Sequence, residues 1–166
     1  MQKSQSLDRW KERKVVFVHM KKILFVCTGN TCRSPMAEVL LRSRLGTDIE
    51  VKSAGVQAYP DSPASEGTKA VLAEMGLEEN HSSKHVTEEL LDWADLVLTM
   101  TNSHKQMLQT FFPQVKGYLY TLKEFVNPNG ANLDIADPIG GPIEAYRQTA
   151  AEIEESLDIL VKKLSE

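Results

Sequence analysis

The chain has 166 residues, 42% of them apolar and 25% charged, which is typical of one globular domain with a sizeable core. Its formal net charge is −4, and because residues 1–19 hold five Lys/Arg against two Asp/Glu, the remainder carries −7. An acidic domain without a basic stripe argues against nucleic-acid binding, and two cysteines are too few for a disulfide scaffold or a structural zinc site.

Residues 1–19 contain basic side chains and one short apolar run, Val15-Val16-Phe17-Val18. This run is far too short for the core of a signal peptide or for a membrane span. We therefore predict a cytoplasmic protein without a membrane partner. We interpret residues 1–19 as a flexible extension and residues 20–166 as a single domain.

The stretch KILFVCTGNTCRSPMAE, which begins at Lys22, combines three local patterns. Residues 23–26 are apolar without alternation, as in a strand buried on both faces. Ser34 and Pro35 are typical of an N-cap and a first helical position, so we predict a helix from about Pro35. Small and polar residues join the two elements, and their backbone N–H groups beside the helix N-terminus favour a tetrahedral anion.

This loop also carries the side chains that phosphoryl transfer requires. Cys27 is its first residue, where the helix N-terminus, the backbone amides and Arg33 all favour a thiolate. The guanidinium of Arg33 can hold two oxygens of a phosphoryl group, and the Ser34 hydroxyl can donate to the sulfur. We therefore predict a nucleophile, an anion cradle and a charge clamp within eight residues.

The remaining elements follow from apolar periodicity and capping residues. We predict strands over residues 49–53, 95–100 and 116–120. We predict helices over residues 65–75, 102–112 and 142–164 and a helix start at Thr87. Residues 77–86 are predicted as a loop or a short strand, and residues 127–142 as a long loop. Alternating strands and helices favour an α/β fold, a four-stranded parallel sheet with helices on both faces.

The motif C-x5-R-S after an apolar strand resembles the phosphate loop of the low-molecular-weight protein tyrosine phosphatase family. The late pair Asp137-Pro138 resembles the general acid of that family, and the likeness extends from about Met20 to the C-terminus. The resemblance implies the strand order 2-1-3-4, which places the loop at the switch point where such sheets bind ligands. It also implies a phosphatase that dephosphorylates proteins through a phosphocysteine intermediate. We expect a monomer that uses no cofactor or metal.

The same resemblance assigns roles to individual residues. Cys27 is the expected nucleophile, Arg33 the phosphate clamp, and Asp137 the acid that protonates the leaving group and then activates water. Asn30 is expected to hold the loop in shape together with Ser34, Ser53 and His81. The predicted phosphate-binding residues are Thr28, Gly29, Asn30, Thr31, Cys32, Arg33 and Ser34.

Two positions bear on the substrate. Thr31 stands where tyrosine phosphatases of this family usually carry isoleucine, so the sequence is most similar to the protein arginine phosphatases of Gram-positive bacteria. The Thr31 hydroxyl can accept a hydrogen bond from a guanidinium group. Ile139 follows the Asp-Pro pair where tyrosine phosphatases usually place aromatic residues. The residues therefore favour phosphoarginine in proteins, with phosphotyrosine as the alternative.

Several interpretations stay open from the sequence alone. Cys32 either packs in the core or forms a reversible bridge with Cys27 under oxidation. Arsenate reductases share the loop, but they relay a disulfide through downstream cysteines, and none follows Cys32. A sugar-phosphotransfer carrier would hold phosphocysteine without an arginine clamp, and a non-enzymatic phosphate-binding module is the last alternative.

Overall fold

The computed structural model describes residues 20–114 and 118–165. Four parallel strands form one sheet in the order β2-β1-β3-β4, which confirms the predicted fold class and strand order. None of the helices in these ranges combines the length and the apolar composition needed to span a membrane. In chain order the elements are β1 Lys22–Cys27, α1 Arg33–Arg44, β2 Glu50–Gly55, α2 Glu66–Glu74, α3 Glu88–Trp93, β3 Leu96–Thr99, α4 Asn102–Phe111, β4 Tyr118–Thr121, α5 Leu122–Val126 and α6 Ile143–Leu164.

Strand β1 is central because its side chains are buried on both faces. Ile23 and Phe25 pack with apolar residues of α1, α2, α5 and α6 on one side of the sheet. Leu24 and Val26 pack with residues of α3 and α4 on the other. A strand between two helical layers needs apolar side chains on both faces. The unbroken apolar run of β1 therefore correctly predicted a central strand.

Helix α1 begins earlier than the sequence indicated, and Ser34 is not its N-cap. The helix starts at Arg33, with Cys32 in the capping position and no side-chain capping bond. The Ser34 hydroxyl instead makes a hydrogen bond with the Cys27 sulfur. Pro35 is then the third helical residue, where a missing N–H costs nothing because the first turn has no intrahelical acceptors. The sequence correctly indicated a helix start near Ser34. The Ser34 hydroxyl, however, binds the Cys27 thiol rather than a backbone N–H of the helix.

Most other elements agree with the sequence within one or two residues. Ser65, Thr87 and Thr101 cap α2, α3 and α4 through their hydroxyl oxygens. The short helix α5 was not predicted, although Thr121 caps it as well. The extension over residues 1–19 and the predicted start of the fourth strand at residue 116 lie outside the described residues.

Candidate active site

The thiol of Cys27 lies at the end of the central strand, where the chain turns into the loop before α1. Cys27 is buried, and its Sγ is 2.9 Å from the Ser34 Oγ. The loop ends at the N-terminus of α1, so the positive end of the helix dipole faces this region. This position suits a nucleophilic sulfur, because its anionic form meets both a dipole and a hydroxyl donor.

Asn30 fixes the shape of the loop. It is fully buried and has a positive φ of 56°, a left-handed conformation that asparagine tolerates better than most residues. Its Nδ2 donates to Ser34 Oγ at 2.8 Å and to Ser53 Oγ at 2.9 Å, and its Oδ1 accepts from the Lys84 N–H at 2.9 Å. The His81 Nε2–H donates to the Asn30 carbonyl at 2.5 Å. The structure thus brings together the four residues predicted to support the loop.

The end of β2 touches the loop so closely that no side chain fits there. A Cβ added to Gly55 would lie 2.4 Å from the Thr28 carbonyl oxygen and 2.9 Å from the Asn30 nitrogen. The turn after β2 stabilises this contact, because the Gln57 N–H donates to the same Thr28 carbonyl at 2.9 Å. Gly55 therefore allows the second strand to serve as a backing for the loop.

The guanidinium of Arg33 connects the loop to the Asp-Pro segment. Arg33 is buried, and its Nη1 donates to the Ile135 carbonyl at 3.0 Å. Its Nη2 lies 3.4 Å from Asp137 Oδ2 and 3.5 Å from Thr28 Oγ1. The Asp137 side chain is 42% exposed, and its Oδ1 accepts from the N–H of Ile139, whose own side chain points into solvent. The Arg33 guanidinium therefore holds the Asp137 carboxyl beside the loop at the protein surface.

Cys32 faces groups that the sequence did not indicate. Its thiol donates to Ser65 Oγ at 3.3 Å and lies 3.7 Å from the Tyr146 hydroxyl, while Thr31 Oγ1 is 3.8 Å away. Burial raises the pKa of Tyr146, so the phenol stays protonated and can donate to sulfur. Tyr146 resembled an ordinary core position of an amphipathic helix, and Ser65 an ordinary N-cap, so no sequence signal separated them from other such residues.

His104 is a further residue of the site that sequence reasoning missed. It lies in the first turn of α4, is 4% exposed, and its Nε2 is 2.8 Å from Thr28 Oγ1. Burial, aided by the positive charge of Arg33, lowers its pKa to about 4, so the imidazole is neutral near pH 7. Within the described ranges no group of three or more His, Cys, Asp or Glu side chains is placed to hold a metal ion.

Comparison with known proteins agrees with this arrangement. The family model described as low molecular weight phosphotyrosine protein phosphatase matches residues 22–166. The chain belongs to this family. Membership makes it a cysteine-dependent protein phosphatase, and Cys27 occupies the phosphate-loop position after the first strand.

Arginine phosphatases are among the proteins similar to this chain. A protein-arginine-phosphatase from Geobacillus stearothermophilus is 52% identical over 143 residues, which cover 86% of this chain and 95% of that protein. The structure of YwlE arginine phosphatase from the same organism gives a TM-score of 0.83 at 50% identity and covers 87% of this chain and 93% of the other. A mutant of YwlE arginine phosphatase with a phosphorylated active-site serine gives a TM-score of 0.83 at 45% identity, with 87% and 96% covered.

Proposed function

We propose that this phosphatase hydrolyses phosphoarginine in proteins, with Cys27 as the nucleophile. The observation that carries the proposal is the similarity to arginine phosphatases over nearly the whole domain, at 52% identity. The phosphate loop supplies a consistent detail, because Thr31 places a hydroxyl where an isoleucine would offer only apolar surface.

The proposed reaction has two steps. In the first, the Cys27 thiolate attacks phosphorus, the P–N bond breaks, and Asp137 donates its proton to the departing guanidine nitrogen. In the second, water attacks the phosphocysteine, its proton passes to Asp137, and inorganic phosphate leaves as the thiolate is restored. Arg33 and the loop amides stabilise the charge on the phosphoryl oxygens in both transition states. The 3.4 Å contact between Arg33 and Asp137 supports this scheme, because it places acid and clamp side by side.

The proposed preference for a guanidinium leaving group rests on two hydrogen-bond acceptors, one in the phosphate loop and one on the Asp-Pro segment. The Thr31 hydroxyl and the oxygen of the Asp137 carboxyl that carries no proton can both accept from guanidinium N–H groups. A phenyl ring has no such donors and gains most from apolar or aromatic walls. Ile139, 67% exposed on the Asp-Pro segment, is the second residue proposed to influence this choice.

Phosphotyrosine is the second candidate substrate, because the matching family model is described as a phosphotyrosine phosphatase. The test is kcat/KM on two peptides of identical sequence, one carrying phosphoarginine and one phosphotyrosine. We expect a clear preference for phosphoarginine. An equal or reversed preference would assign the protein to the tyrosine branch, and Cys27→Ser serves as the inactive control for contaminating phosphatases.

We also propose that the enzyme is redox-sensitive through Cys27 and Cys32. Peroxide would oxidise the Cys27 thiolate to a sulfenic acid, and the Cys32 thiol would then displace water from it to form a disulfide. A dithiol reductant would return both thiols. The position of both cysteines in one short loop supports this proposal, because only four residues separate the second thiol from the nucleophile.

The cellular setting that we propose is a cytoplasmic monomer acting on phosphorylated proteins, with no nucleic-acid or membrane partner. The net charge of −4 argues against a nucleic-acid partner, and a chain with only two cysteines suits a reducing compartment. Size-exclusion chromatography with light scattering tests the oligomeric state.

A further inference from the structure

The Thr28 hydroxyl lies between two cationic or potentially cationic side chains of the site. His104 Nε2 approaches its oxygen at 2.8 Å and Arg33 Nη2 approaches it at 3.5 Å. Arginine can only donate, so at least one lone pair of Thr28 Oγ1 serves Arg33. What His104 contributes depends on which of its ring nitrogens carries the hydrogen.

The surroundings of the imidazole decide its tautomer. Among the described residues, His104 Nδ1 is buried and has no hydrogen-bond partner. A hydrogen on Nδ1 would therefore be a buried N–H without an acceptor, an arrangement that is rare in proteins, whereas a bare lone pair there is better tolerated. The neutral ring accordingly carries its hydrogen on Nε2, and His104 donates to Thr28.

We propose that His104 is a positioning residue of the phosphate site: it donates to the Thr28 hydroxyl, so that this hydroxyl accepts from both His104 and Arg33 and presents its own hydrogen to the bound phosphoryl group. With both lone pairs of Oγ1 occupied, the Thr28 hydrogen is the one group left to point at an anion. The same contacts hold the Arg33 fork in place, because Arg33 then has partners at Thr28, Ile135 and Asp137.

The neutrality of the ring is consistent with this role. Burial is the largest cause of the lowered pKa of His104, and the positive charge of Arg33 adds to it, while Asp134 and Asp137 act in the opposite sense. A protonated imidazole would add a second positive charge beside the guanidinium, but it would not change the direction of the hydrogen bond to Thr28. The positioning role therefore persists across the pH range in which the protein is folded.

The activity test, which rests on the proposed function, uses four variants. His104→Leu and Thr28→Val should each lower kcat/KM by about tenfold and weaken inhibition by inorganic phosphate similarly. Both substitutions interrupt the same path, from His104 through the Thr28 hydroxyl to the phosphoryl group. The kcat/KM of the double variant should therefore be lowered by no more than about tenfold. His104→Gln keeps an N–H donor of similar reach and should recover most of the activity. Lys105→Met, on the same helix but paired with Glu124, is the control and should leave the activity unchanged.

Independent losses that multiply to about a hundredfold in the double variant would overturn the proposal, as would a His104→Leu enzyme within about twofold of the wild type. A measurement without turnover separates this proposal from the proposed function. Nitrogen-15 NMR of the wild type at pH 7 should show the Nε2–H tautomer of His104, and a Nδ1–H tautomer refutes the inference. If the protein hydrolyses neither phosphoarginine nor phosphotyrosine, the proposed function fails, while the tautomer and phosphate titrations of wild type and Thr28→Val still decide the role of His104. Those two measurements also suffice if His104→Leu does not fold.

Discussion

Replacing Gly55 by alanine tests whether the second strand holds the phosphate loop in its reactive shape. The added Cβ would lie 2.4 Å from the Thr28 carbonyl oxygen, whereas ordinary contacts of this kind are 3.4–4 Å. The atom in the way is backbone, so it cannot rotate aside as a flexible side chain would. Either β2 or the loop must move by about 1 Å, and a misplacement of that size at a reacting centre can cost about a hundredfold in rate.

The same strain lowers stability. Forcing a methyl group into a filled space typically costs about 1–3 kcal/mol, which a domain of this size can survive. We therefore expect Gly55→Ala to remain folded at 25 °C with a lowered Tm, and to lose about two orders of magnitude in kcat/KM. Circular dichroism with thermal melting and steady-state kinetics on a phosphoarginine peptide measure the two effects separately.

The matched control is Gly46→Ala, since a Cβ at Gly46 has no neighbour within 4 Å. This variant should keep the activity of the wild type. A folded Gly55→Ala enzyme within about threefold of the wild type would refute the reasoning, because it would mean that the loop tolerates a displacement without losing its geometry.

Four further predictions concern the site directly. Cys27→Ser and Arg33→Lys should each cost at least about a hundredfold in rate, and a phosphoenzyme trapped on any residue but Cys27 in the wild type would contradict the assignment. After mild peroxide and then dithiothreitol, the wild type should regain activity and Cys32→Ser should not; equal recovery would exclude a protective disulfide. Thr31→Ile should shift the ratio of kcat/KM values toward phosphotyrosine by about tenfold or more, because a lost hydrogen bond to a charged donor is worth about 1.5–3 kcal/mol. A ratio unchanged within about twofold would mean that Ile139 or loop motion sets the preference. The pKa of His104 falls from 6.5 to about 4 on folding, so between these pH values only the unfolded chain binds the proton. The free energy of unfolding should therefore decrease as the pH falls from 6.5 toward 4. Denaturant titrations at several pH values should show that His104→Gln lacks this part of the decrease.

The sequence was most informative where chemistry and backbone pattern lie close together in the chain. An unbroken apolar run, a C-x5-R-S loop and a helix start sufficed to predict the central strand and the loop, since each is a local feature. The N-cap at Ser34 was wrong for a tertiary reason, because the Cys27 sulfur competes for the same hydroxyl.

Contacts between distant segments could not be predicted in this way. His104 lies 76 residues from Thr28, and Tyr146 lies 114 residues from Cys32. Each occupies a helix position whose burial alone would explain it, so nothing in one sequence separates a residue that touches the site from one that fills the core. The tertiary fold brings these helices to the loop: α4 follows directly after the carboxyl end of β3, and α6 packs against α1.

The bond from the Lys84 N–H to the Asn30 side chain gives the phosphate loop a natural reporter. Lys84 is exposed and lies outside helices and strands, in surroundings where amide hydrogens normally exchange quickly with water. Its hydrogen is nevertheless held by the Oδ1 of a fully buried residue, so exchange requires this hydrogen bond to break. The exchange rate of this single amide therefore measures how often the Lys84 segment and the phosphate loop separate, without any ligand or turnover.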